Sequence, residues 1–463
     1  MHEKWRLPPA DILHVPTLHG NISYIGTSPS WIVRKVDSAE IRAFAASDND
    51  DLKAQQQASI DRRMELLPKN VLEVRSSPVV LQNARFAHGL VTLGGRFWLN
   101  GASGNRARKK FELANPAKGE ESPHIALLRE SRDHATSPMP VYDAAEAAEL
   151  DISIELKNGF NYYHFLTETL GSLAHYLDDT SDRPISLHLP DNSIKGFLRR
   201  FIDAIYPSLT HRVQFVVKPV RFDAVRSVYS HQHYLSAVND PLVEQALQDE
   251  GTDPAWRQMA TDPLHVKKAC MQSYESSLGL LRKVALLQME LANVGPTPRL
   301  IWMDRDEGGE ARARGLSGHE PLLAELTARG FEKVIFERLS PLEQIATMNR
   351  ADIVIAPHGA GLANMVFAKP GARVIELANR QIQLHRWGDF FKCAHVSRCH
   401  YDTVFADIEG HDDPTTNPPI SAGLKGVRIG ARATDRIVQI VDETLSLPDR
   451  TVFGDHGRTT HVA

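Results

Sequence analysis

The chain has 463 residues, 42% of them hydrophobic and 24% charged, with a formal charge of −4. That length calls for about two to three domains and that composition for a soluble globular protein, while the charge removes any general electrostatic case for nucleic acid. The three scattered cysteines, Cys270, Cys393 and Cys399, form neither a disulfide framework nor a C-x-x-C zinc pair, and no apolar run is long enough to target or span a membrane.

In chain order, residues 1–75 are mixed and polar, with a helix expected around 54–67. Residues 77–100 alternate about Gly94-Gly95 and read as a hairpin. A polar, proline-containing excursion follows over 101–140; its basic cluster at Arg106, Arg108, Lys109 and Lys110 reads as an exposed loop. From 151 the pattern turns α/β: strands at 152–156, 185–189 and 213–217, helices at 162–177, 194–205, 241–250 and 274–292. The run Val294-Gly-Pro-Thr-Pro298 is the best domain boundary. Beyond it strands at 299–303, 333–336, 352–356 and 373–377 alternate with helices at 319–329, 341–349 and 362–367, a parallel-sheet pattern. A linker is expected over 407–426 and a last helix over 434–447.

The most informative stretch is 352–377, DIVIAPHGAGLANMVFAKPGARVIEL. A doubly buried strand feeds the small-residue turn His358-Gly359-Ala360-Gly361, and a helix opens from it at Leu362. Such a turn offers backbone N–H groups and a helix N-terminus at the sheet's carboxyl edge, where diphosphates bind in open α/β sheets. The site should hold a nucleotide or a nucleotide-sugar.

Three segments together resemble glycosyltransferase family 61, inverting enzymes that move a sugar from a nucleotide donor. The first, Asn161-Tyr-Tyr-His164-Phe-Leu-Thr-Glu168, is similar to the family's N-x-x-H-x-x-x-[DE]. The second is Arg305 followed by Arg312, Arg314, His319 and Glu320, with His319 where the family usually has Asn. The third is Glu343-Gln344, then His358-Gly-Ala-Gly-Leu362, Asn364 and Glu376. The resemblance implies an α/β, GT-B-like architecture, two Rossmann-like lobes facing a cleft. On that reading 1–150 is an extra N-terminal region with hairpin elements and 151–293 an acceptor lobe. The nucleotide-sugar-binding lobe is then 294–406, and 407–463 a linker and C-terminal helix.

Inverting transfer needs a base for the acceptor hydroxyl and positive charge for the leaving diphosphate. The N–H groups of Gly359, Ala360, Gly361 and Leu362 can hydrogen-bond phosphate oxygens; His358 either donates to phosphate or sugar or only packs the turn. Arg305, ending a strand, can grip a diphosphate in bidentate fashion, whereas Arg312 and Arg314 are equally well solvated loop residues. Glu320 is either a helix cap or a ribose ligand, Glu376 is read as a ribose or base contact, and Asn364 as fixing the turn. His164 and Glu168 stand four apart on one helical face. Glu168 is taken as the base with His164 as orienter, the reverse remaining open, and Asn161 caps that helix or contacts the acceptor.

No cofactor or metal is expected, the nucleotide-sugar being a co-substrate. The expected partners are a UDP-linked nucleotide-sugar and a glycan or lipid-linked acceptor in polysaccharide biosynthesis. The expected location is the cytoplasm, including the inner face of the cell membrane. Four alternatives compete. Asp304-Arg305-Asp306 is a D-x-D triplet that would hold a metal ion. Gly359-x-Gly361 is an incomplete dinucleotide fingerprint, and HGAG resembles an esterase turn but lacks a G-x-S-x-G elbow. A non-catalytic nucleotide-binding protein of the same fold is the fourth.

Overall fold

Buried runs such as Ile152–Glu155, Ile185–His188 and Ile353–Pro357 form parallel strands, as expected of β-branched segments covered on both faces. The computed structural model describes residues 9–65, 67, 71–100, 139–156, 158–159, 161–191, 194–234, 273–305, 315–410 and 418–447. The basic cluster at 106–110, nearly all of the excursion over 101–140 and the helix expected over 241–250 lie outside these residues.

The first large sheet has a parallel half whose spatial order is Val213–Val216, Ile185–His188, Ile152–Glu155, Val220–Ser230. In chain order this is 3-2-1-4, so the winding reverses beside the carboxyl end of Ile152–Glu155. Val220–Ser230 then pairs antiparallel with Ser76–Ala87, and Leu90–Leu93 and Arg96–Trp98 continue a meander. The expected hairpin at Gly94-Gly95 is present, and a further turn at His88-Gly89 precedes it. Asn100 ties the two halves together. Its amide donates to Glu155 at 2.9 Å and its carbonyl accepts from the Ser230 N–H at 2.9 Å.

The second large sheet is parallel over five strands, ordered Glu332–Ile335, Leu300–Asp304, Ile353–Pro357, Arg373–Asn379, His400–Ile408. Its chain order is 2-1-3-4-5, with the switch point between Leu300–Asp304 and Ile353–Pro357. Beside the last strand lies Ile41–Ala45, in register from Ile41↔Tyr401 to Ala45↔Phe405. The stretch 1–150, expected as a region of its own, therefore supplies strands to both sheets. Likewise the linker expected over 407–426 begins as the end of strand His400–Ile408.

Helix Ser276–Leu291 packs against both Leu170–Tyr176 and Pro341–Arg350. The apolar side chains of the two parallel sheets belong to one continuous core, while Ile22, Phe86, Trp98 and Tyr229 centre a smaller one under the meander. Helix Pro341–Arg350 carries a full capping box, Ser340 with Glu343. Among the described residues no helix is long and apolar enough to cross a membrane.

Two helices differ from expectation. Residues 162–177 are not a regular α-helix: an α turn at Tyr162–His164 passes into a π turn at Phe165–Thr169 and then a 3₁₀ segment at Leu170–Tyr176. The buried positions run almost without a break from Phe165 to Leu173, so packing on every side outranks a 3.6-residue period. Gly171 marks the tightest contact, since a Cβ there would lie 2.3 Å from the Ser277 carbonyl oxygen. The expected helix at 362–367 is a 3₁₀ helix, Ala360–Phe367.

Candidate active site

At the switch point of the second sheet, Arg305 leaves one strand and the turn His358–Gly361 leaves its neighbour. The Arg305 guanidinium donates to the His358 carbonyl. A Cβ on Gly359 would stand 2.2 Å from Arg305 Nη2, so any larger residue there must push the guanidinium aside. The Gly359 φ of 173° is ordinary extended backbone, so no left-handed conformation calls for glycine there. Gly359, Ala360 and Gly361 are half-exposed, and among the described residues no backbone acceptor is paired with their N–H groups. These three donors lie beside the Arg305 guanidinium, the kind of groups an anion-binding concavity is built from. Leu362 does not join them, because its N–H donates to the Gly359 carbonyl at 3.0 Å and its side chain is buried.

His358 is 6% exposed, and its Nδ1 shares a hydrogen bond with Glu376. Glu376 is not the ribose or base contact expected. It is 1% exposed, and its other oxygen accepts from the Tyr401 hydroxyl and, at 3.4 Å, from Thr403. A carboxylate held this way fixes the tautomer of its imidazole by keeping the proton on Nδ1. Asn364, also 1% exposed, bridges the turn and Tyr162. Its amide donates to the Gly361 carbonyl at 3.1 Å, and its own carbonyl accepts from the Tyr162 hydroxyl at 2.7 Å.

That tyrosine belongs to the other half of the site. Asn161 caps the turn Tyr162–His164, its side chain accepting from the Tyr163 N–H at 3.0 Å; of the two roles left open for it, this is the capping one. His164 Nδ1 and Glu168 Oε1 are 3.0 Å apart, with Glu168 carried on the π turn. Both are partly open to solvent, their side chains 34% and 13% exposed.

A segment that sequence reasoning missed joins the halves. The Tyr163 hydroxyl donates to the Asp389 carbonyl, and Phe390 packs edge-on against both Tyr163 and His358, with centroids 5.4 Å away in each case. Lys392 lies 5.0 Å over the Tyr163 ring and 3.8 Å from Glu168 Oε1. Burial would push its ammonium pKa down, but Tyr163, Glu168, Cys393 and Glu275 overcome this and hold it above its ordinary value. Glu275, also missed, is pushed up to about 7, chiefly by burial, with Glu168 and Glu155 adding and Lys392 opposing. The available signal was the run Asp389-Phe-Phe-Lys392, which sets two charges inside an aromatic stretch.

Other expected residues fall apart from this cluster or outside it. Glu320 opens helix Glu320–Ala328 and is exposed; among the described residues no hydrogen bond or ion pair joins it to the turn. Arg312 and Arg314 lie outside the described residues. So does Asp306 of the D-x-D triplet, while Asp304 is ion-paired with Lys333. Among the described residues no three His, Cys, Asp or Glu side chains are grouped to hold a metal ion.

The fold and the site thus define an α/β protein in which a turn of backbone donors beside an arginine is linked, through Asn364 and Tyr162, to the segment that carries His164 and Glu168. Residues 162–375 match the family model Glycosyltransferase 61. The chain carries a glycosyltransferase 61 domain and has the activity of a glycosyltransferase, with a sugar donor and an acceptor as its substrates. The match runs from the turn carrying His164 and Glu168 to the strand carrying Glu376, ending one residue before it. No curated protein matches the chain.

Proposed function

We propose that the chain is an inverting, metal-independent transferase of GT-B architecture, taking its sugar from a UDP-linked nucleotide-sugar. The observation that carries this reading is the turn of backbone donors at Gly359–Gly361 beside Arg305, tied to the His164–Glu168 pair through Tyr162 and Asn364. In the proposed reaction the diphosphate rests on the three N–H groups and the guanidinium. Glu168 removes the proton of the acceptor hydroxyl, and that oxygen bonds to the anomeric carbon from the face opposite the diphosphate. The bond from the anomeric carbon to the diphosphate oxygen breaks, and its electron pair leaves with the nucleotide. Positive charge from Arg305 and the helix-start dipoles offsets the charge that develops there. No cofactor enters this scheme. The acceptor is a growing polysaccharide or lipid-linked glycan met on the cytoplasmic side, at the inner face of the cell membrane.

The ion pair of Asp304 with Lys333 counts against the metal-dependent alternative. Calorimetric titration with UDP, GDP, CMP and NAD in EDTA, on the natural chain and on His358→Ala, tests the proposal. Micromolar binding of UDP, lost in the variant, is expected. Binding that requires a divalent ion would return the D-x-D reading, and preference for NAD would sink a nucleotide-sugar donor. Binding of UDP without turnover of any UDP-sugar would favour a non-catalytic protein. Glu168→Gln should abolish transfer while leaving nucleotide binding nearly intact, and Arg305→Ala should weaken both.

A further inference from the structure

The groups that face Glu168 come from several elements. His164 stands on its own segment at 3.0 Å, Tyr163 precedes it, and Glu275 comes from strand Ser273–Glu275. Lys392 comes from helix Phe391–Ser397, with its ammonium 3.8 Å from Glu168 Oε1 and only 18% of its side chain exposed. This lysine is held in place rather than free to swing. Its ammonium lies over the Tyr163 ring, and the segment leading to it is anchored by the hydrogen bond from Tyr163 to Asp389 and by the Phe390 ring.

We propose that Lys392 is a positioning residue for transfer, whose ammonium keeps Glu168 ionised and aimed so that it can accept the hydroxyl proton. The inference rests on the reading of Glu168 as the base. Two carboxyl groups, Glu168 and Glu275, share this one lysine. Like charges so placed cannot both ionise freely. Burial pushes the Glu275 carboxyl up to about 7, so near neutrality Glu275 is only partly ionised and competes less for the ammonium. Glu168 is then the more fully charged of the two partners of the lysine. An opposite charge within about 4–6 Å favours the charged form of a carboxyl by about one to three pH units. Because Lys392 follows the Phe390 ring that packs on His358, the same segment that supports the nucleotide side also sets the state of the base.

The test is the titration midpoint of Glu168 by carbon-13 carboxyl NMR, in the full chain with saturating UDP, the signal being assigned by its loss in Glu168→Gln. In Lys392→Met the midpoint should rise by about one pH unit or more, and in Lys392→Arg it should stay within a few tenths. Lys392→Gln, which keeps a polar head, stands in if the methionine variant fails to fold. An unmoved midpoint in either neutral variant overturns the proposal. Transfer by Glu168→Gln with a panel of UDP-sugars separates the two ideas. A shifted midpoint with an active Glu168→Gln variant overturns the base assignment and leaves the lysine coupling standing. An inactive Glu168→Gln variant with no shift overturns the coupling alone.

Discussion

Tyr401 and Thr403 both offer hydroxyl protons to one oxygen of Glu376, and His358 Nδ1 takes the other. In Glu376→Gln those hydroxyls would claim the amide oxygen and turn the NH₂ toward Nδ1, moving the imidazole proton to Nε2. The expected result is a loss of at least about tenfold in kcat/KM, about 1.4 kcal/mol, with little change in Tm, read from steady-state kinetics and calorimetry on the same variant. Glu275 gives a pH-dependent prediction. Its folded pKa of about 7 lies above the ordinary carboxyl value of 4.5. The folded state therefore binds more protons than the unfolded one between those values, and stability falls as pH rises through that window. Glu275→Gln should gain roughly 1–3 kcal/mol near pH 8 and nothing near pH 4, measured by denaturant unfolding at both. The residues legible beforehand were those whose partners are close along the chain, namely His164 with Glu168 and the His358–Gly361 turn. Lys392, Glu275 and Tyr401 were not, because each acts on a residue that only the tertiary fold brings near.

At the scale of elements, the π turn at Phe165–Thr169 and the extended Gly359 both follow from neighbours rather than from local preference. A single π turn inside helical structure is uncommon and often marks a functional site; here it carries Glu168. Nothing in FLTET distinguishes it from an ordinary helical turn, so the sequence reads there as a regular helix. Gly359 is different, since its small size is visible in the sequence and only the neighbour packed against it, Arg305, is not. Gly359→Ala should push the guanidinium off the His358 carbonyl. Nucleotide affinity should fall about tenfold or more while Tm moves by a few degrees at most, in paired titration and melting experiments. A change in Tm without a change in affinity would mean that Arg305 yields easily and binds nothing. The strands around the turn were legible because parallel strands covered on both faces read as unbroken apolar runs.

At the scale of the whole molecule, each large sheet reverses its winding at one point, and the segments carrying Glu168, Arg305 and His358 follow strands at those two reversals. Helix Ser276–Leu291 and a continuous core run between the parallel halves. Unfolding should therefore be a single cooperative event. Hydrogen exchange read in residues 152–188 and 353–379 should give the same denaturant midpoint, and two separated midpoints would show independent lobes. The alternation of strand and helix announced both parallel sheets, but the crossing of Ile41–Ala45 into the second sheet was hidden. Five residues with no strong alternation carry no address for their partner.

That crossing sets a schedule during synthesis. Arg42 is bonded to Asp402 across 360 positions, so at about 5–20 residues per second the strand waits roughly 20–70 s for its neighbour to emerge. Through that interval Ile-Arg-Ala-Phe-Ala is an unmatched β segment leaving the ribosome, and a single arginine is the charge within it that discourages pairing with another nascent chain. When His400–Ile408 arrives, the same arginine becomes the clasp that closes the sheet.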